Sequence, residues 1–333
     1  MSTPSPTIKN PPAHDTMAAV DLVRDYTGTL VAHAKTSSKK PSSRKPHKVW
    51  TLRDSAGTRI LQIPALSKIP WLVHGFSSSV GGISPLKGNK VLNLGVTEWD
   101  DPANVRANRL QFQSAIKADD LSLVAMKQIH SDIICDFSSA PQQPCTGDAA
   151  ISIAPNLLLA IQTADCVPIL LVDPKKRAVA AVHAGWRGTL ARIVEKTIGR
   201  MTMQYGTKAS DALAVIGPAI GSCCYEVGTE VAAAFHSQFV QADEWFDELR
   251  TGDEPNPLQW LNQFPPGHQP PPKNVRLDLR KANRGQLLTA GVRPKNIYVI
   301  DLCTACRPDL LFSYRKRGAE SGRMMGAIAI RAS

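Results

Sequence analysis

The stretch TADCVPILLVDPKKRAVAAVHAGWRGTL, from Thr163 to Leu190, constrains the fold more than any other part of the chain. Two apolar runs of strand length flank the charged link Asp173-Pro174-Lys175-Lys176. Apolar runs on either side of a turn signal predict a β-hairpin. A loop of two or four residues puts Cys166 directly opposite His183 on one face, whereas a loop of three shifts the register and parts them. Directly opposed residues hold their Cβ atoms about 4.5–5.5 Å apart, which suits two ligands of one metal ion or a thiolate–imidazole pair. Pro174 cannot take the positive φ of a type I′ turn, and this favours the four-residue loop. The plainer alternative is a buried cysteine that faces a hydrogen-bonded histidine.

The segment after His183 is a turn between strand and helix, Ala184-Gly185-Trp186-Arg187-Gly188. Its glycines let backbone approach a ligand closely. A helix start exposes N–H groups suited to an anion, and Arg187 can clamp phosphate or carboxylate in bidentate fashion. Leu190, Ile193, Val194, Thr197, Ile198 and Met201 then recur at helical spacing, with Thr189 as the expected N-cap and Gly206 as the C-cap.

Elsewhere, KVWTLR from Lys48 and WLVHGFSSSVGGIS predict strands, the second running into a Gly-rich turn. Residues 101–117 have helical spacing, and LSLVAMKQIH reads as a strand that ends at His130. DALAVIGPAIG reads as a strand with a Gly-Pro turn, and EVGTEVAAAFHSQF as a helix. NVRLDL, a helix through Leu288, NIYVIDL and MMGAIAI complete the pattern. Residues 255–272 hold seven prolines and predict a loop insertion. No linker or composition break divides residues 49–333, so they predict one catalytic domain of mixed α/β (α+β) class with substantial antiparallel sheet.

The chain has 333 residues, 43% of them hydrophobic, enough to bury a core, and a formal charge of +11. Residues 1–48 carry eight Lys or Arg against three Asp, and their Ser, Pro and Lys content predicts a disordered basic tail. The tail lacks interleaved aromatics for base stacking, which weighs against a nucleic-acid partner. The modest positive charge on the remainder suits phosphate or another small anion. No secretory signal and no membrane-length apolar run is visible, so a cytoplasmic location without a membrane partner is expected. The seven cysteines then read as reduced thiols. Cys303-Thr304-Ala305-Cys306 is a CxxC, but it follows a strand-like run and no second pair has the spacing of a structural zinc site, so packing is its expected role.

A catalytic zinc takes three protein ligands and leaves a position open. Of the eight histidines, His14, His33 and His47 lie in the tail, His268 in the Pro-rich loop and His236 on a helix. His74 and His130 remain as companions for Cys166 and His183, and spacing does not choose between them.

At this point the motifs resemble a known family. Lys127-Gln128-Ile129-His130, Gly147-Asp148-Ala149, Thr163-Ala164-Asp165-Cys166-Val167-Pro168, His183-Ala184-Gly185-Trp186-Arg187-Gly188, Gly217-Pro218-Ala219-Ile220-Gly221 and Phe312-Ser313-Tyr314-Arg315 match it in order. It is the YfiH family, long labelled multicopper polyphenol oxidase or laccase-like and now regarded as purine nucleoside phosphorylases with adenosine deaminase activity. The resemblance spans about residues 70–330. It implies a mixed α/β sandwich, largely antiparallel, with flanking helices. It also implies one zinc ion held by His130, Cys166 and His183, and so selects His130 over His74. One departure is Ser79, which stands where the family usually has an arginine.

On this reading the substrates are adenosine, inosine and methylthioadenosine with phosphate, and the products are the free base and the sugar 1-phosphate. Asp165 is the nearest carboxyl for proton transfer. Arg187 and Arg315 are candidates to hold phosphate. Gln128 and Asn93 are candidates for the base or sugar, and Arg109 for substrate. Alternatives are a metal-free thiol hydrolase with Cys166 as nucleophile and His183 as base, a copper-dependent polyphenol oxidase, and a non-enzymatic basic binding protein. A laccase needs several copper ions and more histidines than this chain offers, although copper can displace zinc from such a site. Oligomeric state leaves no trace in the sequence.

Overall fold

The computed structural model describes residues 20–24, 30–34, 49–55, 57–247 and 275–332. The chain divides into two units, residues 1–47 and 48–333. In the first, Val20–Arg24 pairs antiparallel with Leu30–Ala34, the two places where this stretch gathers apolar residues. The rest of the expected tail and the Pro-rich loop lie outside the described residues.

In the second unit the expected hairpin forms, Val167–Asp173 against Ala178–Ala184. Its loop has four residues, but they are Pro174–Arg177, one place later than expected. The Asp173 carboxylate accepts the backbone N–H groups of Lys175 and Lys176, which starts the turn after Asp173. Arg177 closes it with a left-handed φ of 50°. His183 therefore pairs with Pro168 instead of Cys166. Cys166, just before its strand, sits diagonal to His183 and still shares its face, because the slip is an even number of residues.

This hairpin is the centre of a six-stranded sheet. From edge to edge the strands are Ile297–Val299, Leu213–Ile216, Val167–Asp173, Ala178–Ala184, Ala149–Ser152 and Ile134–Asp136. Only the two edge strands pair in parallel. A second six-stranded sheet runs Thr51–Ser55, Thr58–Gln62, Leu72–Ser77, Met324–Ile330, Leu157–Thr163 and Ser122–Ala125, with only the last pair parallel.

The two sheets face each other. Leu170, Val172, Val179 and Ala181 of the first pack with Leu159, Ile161, Ile328 and Phe76 of the second. The alternate residues of the hairpin, Ile169, Leu171, Ala180 and Val182, face helices Ile193–Tyr205 and Leu279–Thr289. Helix Pro102–Ala115 covers the outer face of the second sheet through Phe112 and Ala115, against Leu158, Ala160 and Ala327. Helix, sheet, sheet and helix thus stack as the expected mixed α/β sandwich. Strands covered on both faces must be apolar along their whole length, and this explains the unbroken runs at 167–173 and 178–184.

Two local expectations change. The helix after the hairpin is split into Trp186–Leu190 and Ile193–Tyr205, because Arg192 takes a left-handed φ of 62°. Thr189 is not an N-cap: it lies inside the first piece, buried, and its hydroxyl accepts a hydrogen bond from Asn283. The cysteines are not all reduced. Cys135 and Cys145 are joined by a disulfide, since the Asp148 and Ala149 N–H groups donate to the Ile133 carbonyl and bring the loop that carries Cys145 alongside the strand Ile134–Asp136. The other five are free. Among the described residues no helix is long and apolar enough to cross a membrane.

Candidate metal centre

His183 ends one arm of the central hairpin, and Asp148 stands across from it just ahead of the neighbouring strand. The two are tied twice: the backbone N–H of His183 donates to the Asp148 carbonyl at 2.7 Å, and ring Nδ1 lies 2.8 Å from the carboxylate. That bond fixes the ring and leaves Nε2 free to face away from Asp148. The same carboxylate accepts from the backbone N–H groups of Ile129, His130 and Ser131 and from the Ser131 hydroxyl. These bonds hold the segment after the strand Ser122–Ala125 in a tight turn, with His130 itself at a left-handed φ of 60°. One buried carboxylate therefore positions both histidines. Burial opposes its charge, but the donors from His183 and Ser131 prevail and hold it well below the usual carboxylate range.

Cys166 completes the group. Its Sγ is 3.9 Å from His130 Nε2. The His130 and His183 rings meet edge to face with centroids 4.9 Å apart. One ligand atom from each of the three residues lies within 4.8 Å of the others. Burial raises the Cys166 thiol, yet the two imidazoles outweigh it and bring the group down to about 6. Burial likewise disfavours charge on His183, and the Cys166 thiolate and Asp148 raise it to about 9. Gly185 keeps the site open, because a Cβ there would come within 3.1 Å of both Cys166 Sγ and His130 Cδ2. Two imidazoles and a thiolate, one ring locked by a carboxylate, form a donor set that suits a borderline-soft metal ion. His74 takes no part. It is buried in the strand Leu72–Ser77, where its Nε2 accepts the Ile63 N–H.

The other expected site residues divide. Asp165, at a left-handed φ of 98°, has both oxygens occupied, by the Thr304 hydroxyl and by the Arg315 N–H, each at 2.6 Å. It is built as a buttress and not as a free acid. Arg187 is exposed with its guanidinium over the Trp186 ring, and Arg315 is exposed over the Tyr225 ring. Gln128 and Asn93 do not offer their amides to a ligand. Gln128 bonds both backbone groups of Gln162, and Asn93 bonds Gly95, Thr97, Asp100 and the Arg323 N–H. Arg109, half-buried on the outer helix, donates to the Leu94 carbonyl. Ser79 is buried and bonds through its backbone to Leu310 and Leu92.

Three residues near the centre were not singled out for a role in sequence. Asp148 carried a signal, since a charged residue that opens the apolar strand Ala149–Ser152 must find partners when buried. Tyr225 lies within electrostatic range of Cys166, Asp165, Arg315 and Arg187, and its hydroxyl is pushed up by burial and by the thiolate, against the pull of the arginines. Arg323, beside Tyr314, is within range of Asp165 and Cys166, and burial lowers it. Neither has a local sequence signal, because tertiary folding alone brings both to the site.

Comparison with known proteins gives the family. Residues 73–331 match the family model described as multi-copper polyphenol oxidoreductase laccase. A protein of Bacteroides thetaiotaomicron named purine nucleoside phosphorylase is 33% identical over 282 residues, which cover 82% of this chain and 96% of that protein. The human purine nucleoside phosphorylase LACC1 is 31% identical over 278 residues, 81% of this chain, and the match spans only 59% of the human protein. The crystal structure of Bacillus licheniformis hypothetical protein YfiH superimposes with a TM-score of 0.71 at 29% identity, covering 84% of this chain and 99% of that one. With its family model matched over most of its length and its fold shared with YfiH, the chain belongs to the YfiH, or laccase-like multi-copper polyphenol oxidoreductase, family.

Proposed function

We propose that the chain is a zinc-dependent purine nucleoside phosphorylase that cleaves adenosine, inosine and methylthioadenosine with phosphate and also deaminates adenosine. The observation that carries this reading is the convergence of His130, Cys166 and His183 on one point, with Cys166 and the exposed Arg187 and Arg315 all within electrostatic range of Tyr225. The names of the relatives supply the substrate class. When bound there, zinc supplies Lewis-acid polarisation. In phosphorolysis a phosphate oxygen forms a bond to ribose C1′ while the bond from C1′ to the base breaks, and the base leaves with the electron pair. Arg187 and Arg315 bind the phosphate, and the Tyr225 ring supports the Arg315 guanidinium. Asp165 acts as a positioning residue: it fixes the backbone of Arg315 and, through Thr304, the loop that follows the strand Ile297–Val299.

The donor set argues against laccase chemistry. Among the described residues there are two groups able to hold a metal, and only one contains histidine. The polarised Cys166–His183 pair favours one rival, a thiol hydrolase that needs no metal.

The test is incubation of metal-quantified protein with each nucleoside, with and without phosphate, followed by product identification. Phosphate-dependent release of base and sugar 1-phosphate is expected, with ammonia from adenosine. His130→Ala, Cys166→Ala and His183→Ala should each lose the zinc ion held by this group and about a hundredfold in turnover. Unchanged turnover in a folded variant that has lost this zinc sinks the proposal, and activity without metal at this group that depends on Cys166 supports the hydrolase.

A further inference from the structure

The CxxC at Cys303–Cys306 is not isolated in the fold. The strands Leu213–Ile216 and Ile297–Val299 run parallel, so the chain leaves both at the same end of the sheet. The two exit segments stay paired. Ala219 bridges Cys303, the Thr304 N–H donates to the Ala219 carbonyl at 3.2 Å, and the Gly221 N–H meets Cys303 Sγ at 3.3 Å. At Gly221 the first segment turns, its carbonyl accepting from the N–H groups of both Cys224 and Tyr225 at 2.9 Å. That turn swings Cys223 and Cys224 onto the CxxC. Cys306 Sγ lies 3.5 Å from Cys223 Sγ and 3.4 Å from Cys224 Sγ, and all four sulfurs lie within 4.8 Å of one another.

These separations are much longer than a disulfide bond of about 2.05 Å. They are close to the edge of a tetrahedron of thiolates, about 3.8 Å when each sulfur is about 2.3 Å from zinc. Thiols are weak hydrogen-bond donors and acceptors, so four of them in contact have little to satisfy one another. A cation of the protein's own stands beside them. A Cβ on Gly221 would approach both Cys223 Sγ and the Arg280 guanidinium, to 3.2 and 2.8 Å, so the two groups lie close together. Arg280 Nη1 is buried without a hydrogen-bond partner. Four thiolates around one divalent cation carry two net negative charges, and this guanidinium, which also stands 3.9 Å from the Asp278 carboxylate, lies near enough to offset part of them.

We infer that Cys223, Cys224, Cys303 and Cys306 bind one zinc ion in a closed four-thiolate site, separate from the His130–Cys166–His183 group. Binding displaces the four thiol protons to solvent and involves no change of oxidation state. Four protein ligands leave no open position, so the site is structural. It pins the loop from which Thr304 reaches Asp165, and the Ile220 N–H, from the partner segment, bonds the Asp165 carbonyl. The zinc thereby holds two sides of the Asp165 buttress.

The test is zinc quantification on the full chain purified under reducing conditions, for wild type, the double variant Cys223→Ser/Cys306→Ser, and His183→Ala. Wild type should hold two zinc ions per chain and each variant one. If the histidine centre takes no zinc, wild type holds one, and only the cysteine variant loses it, so the two assignments fail separately. In His183→Ala, cobalt substitution should give thiolate-to-cobalt charge-transfer absorption that accounts for four thiolates per ion. Because the double variant can misfold, His183→Ala provides a second measure: modifying its free thiols should release its one remaining zinc to a metallochromic dye. Zinc content unchanged in a folded cysteine variant, iron in place of zinc, a disulfide among these four in the unreduced chain, or free reaction of all four thiols without metal release would each overturn the inference.

Discussion

His74 and His130 look alike in sequence, each closing or following an apolar run, yet their surroundings assign them opposite work. His130 is exposed at a left-handed turn beside Cys166, whereas His74 is buried and accepts a backbone N–H from Ile63. Burial lowers His74 from 6.5 to about 4, against the modest opposite pull of the Ile63 bond. Below pH 6.5 the unfolded chain takes up a proton at this histidine that the folded chain refuses. The stability tied to His74 is therefore fully present above about pH 6.5 and is lost as the pH falls toward 4, by about 3 kcal/mol. Urea titrations of wild type and His74→Leu at pH 7 and pH 4 test this. The variant should be less stable at pH 7, because Ile63 loses its acceptor, but should lose less on acidification. An identical pH response in the two proteins would exclude His74 as a source of it. The chemical identity of the candidate ligands was legible from the Cys166–His183 pair and the histidine census. Spacing did not choose the third candidate, which the family resemblance named as His130, since its position depends on which turn Asp148 gathers.

Single elements were most legible where their ends carry chemistry. Helix Pro102–Ala115 forms where its apolar spacing predicts it, and Asp101 caps it by accepting the Ala103 N–H at 2.7 Å. Asp101→Ala should cost about 1 kcal/mol of stability, read as a lower thermal midpoint, with no change in bound metal. A midpoint equal to wild type would show that the cap contributes nothing. The helix predicted from Leu190 onward was misread at its start. Its apolar positions do repeat at helical spacing, but Arg192 breaks it and makes long-range bonds, its guanidinium reaching the Gln238 carbonyl and the Phe239 ring. Periodicity reports which residues are buried, and not whether the backbone between them is continuous. The hairpin loop shows the same limit: its length was predicted, while its position depends on which carboxylate captures the turn's N–H groups.

At the scale of the whole molecule, the sandwich depends on the interleaving of its two sheets. Leu170 is fully buried between them. Leu170→Ala leaves a cavity there and should cost about 2–5 kcal/mol by denaturant titration; a change below 1 kcal/mol would mean that the sheets close up around the loss. The class of fold, the central hairpin and the residue types of the candidate metal centre were readable along the chain. Apolar runs, turn residues and reactive side chains are local properties, written in the order of the chain. Folding alone settles that Asp148 orients both histidines, that Asn93, Gln128 and both Asp165 oxygens bond within the protein, and that the lone CxxC has a second pair of cysteines beside it. Those outcomes depend on contacts between segments tens of residues apart. Burial then forces each polar group to take whichever partner the packed sheets bring within reach.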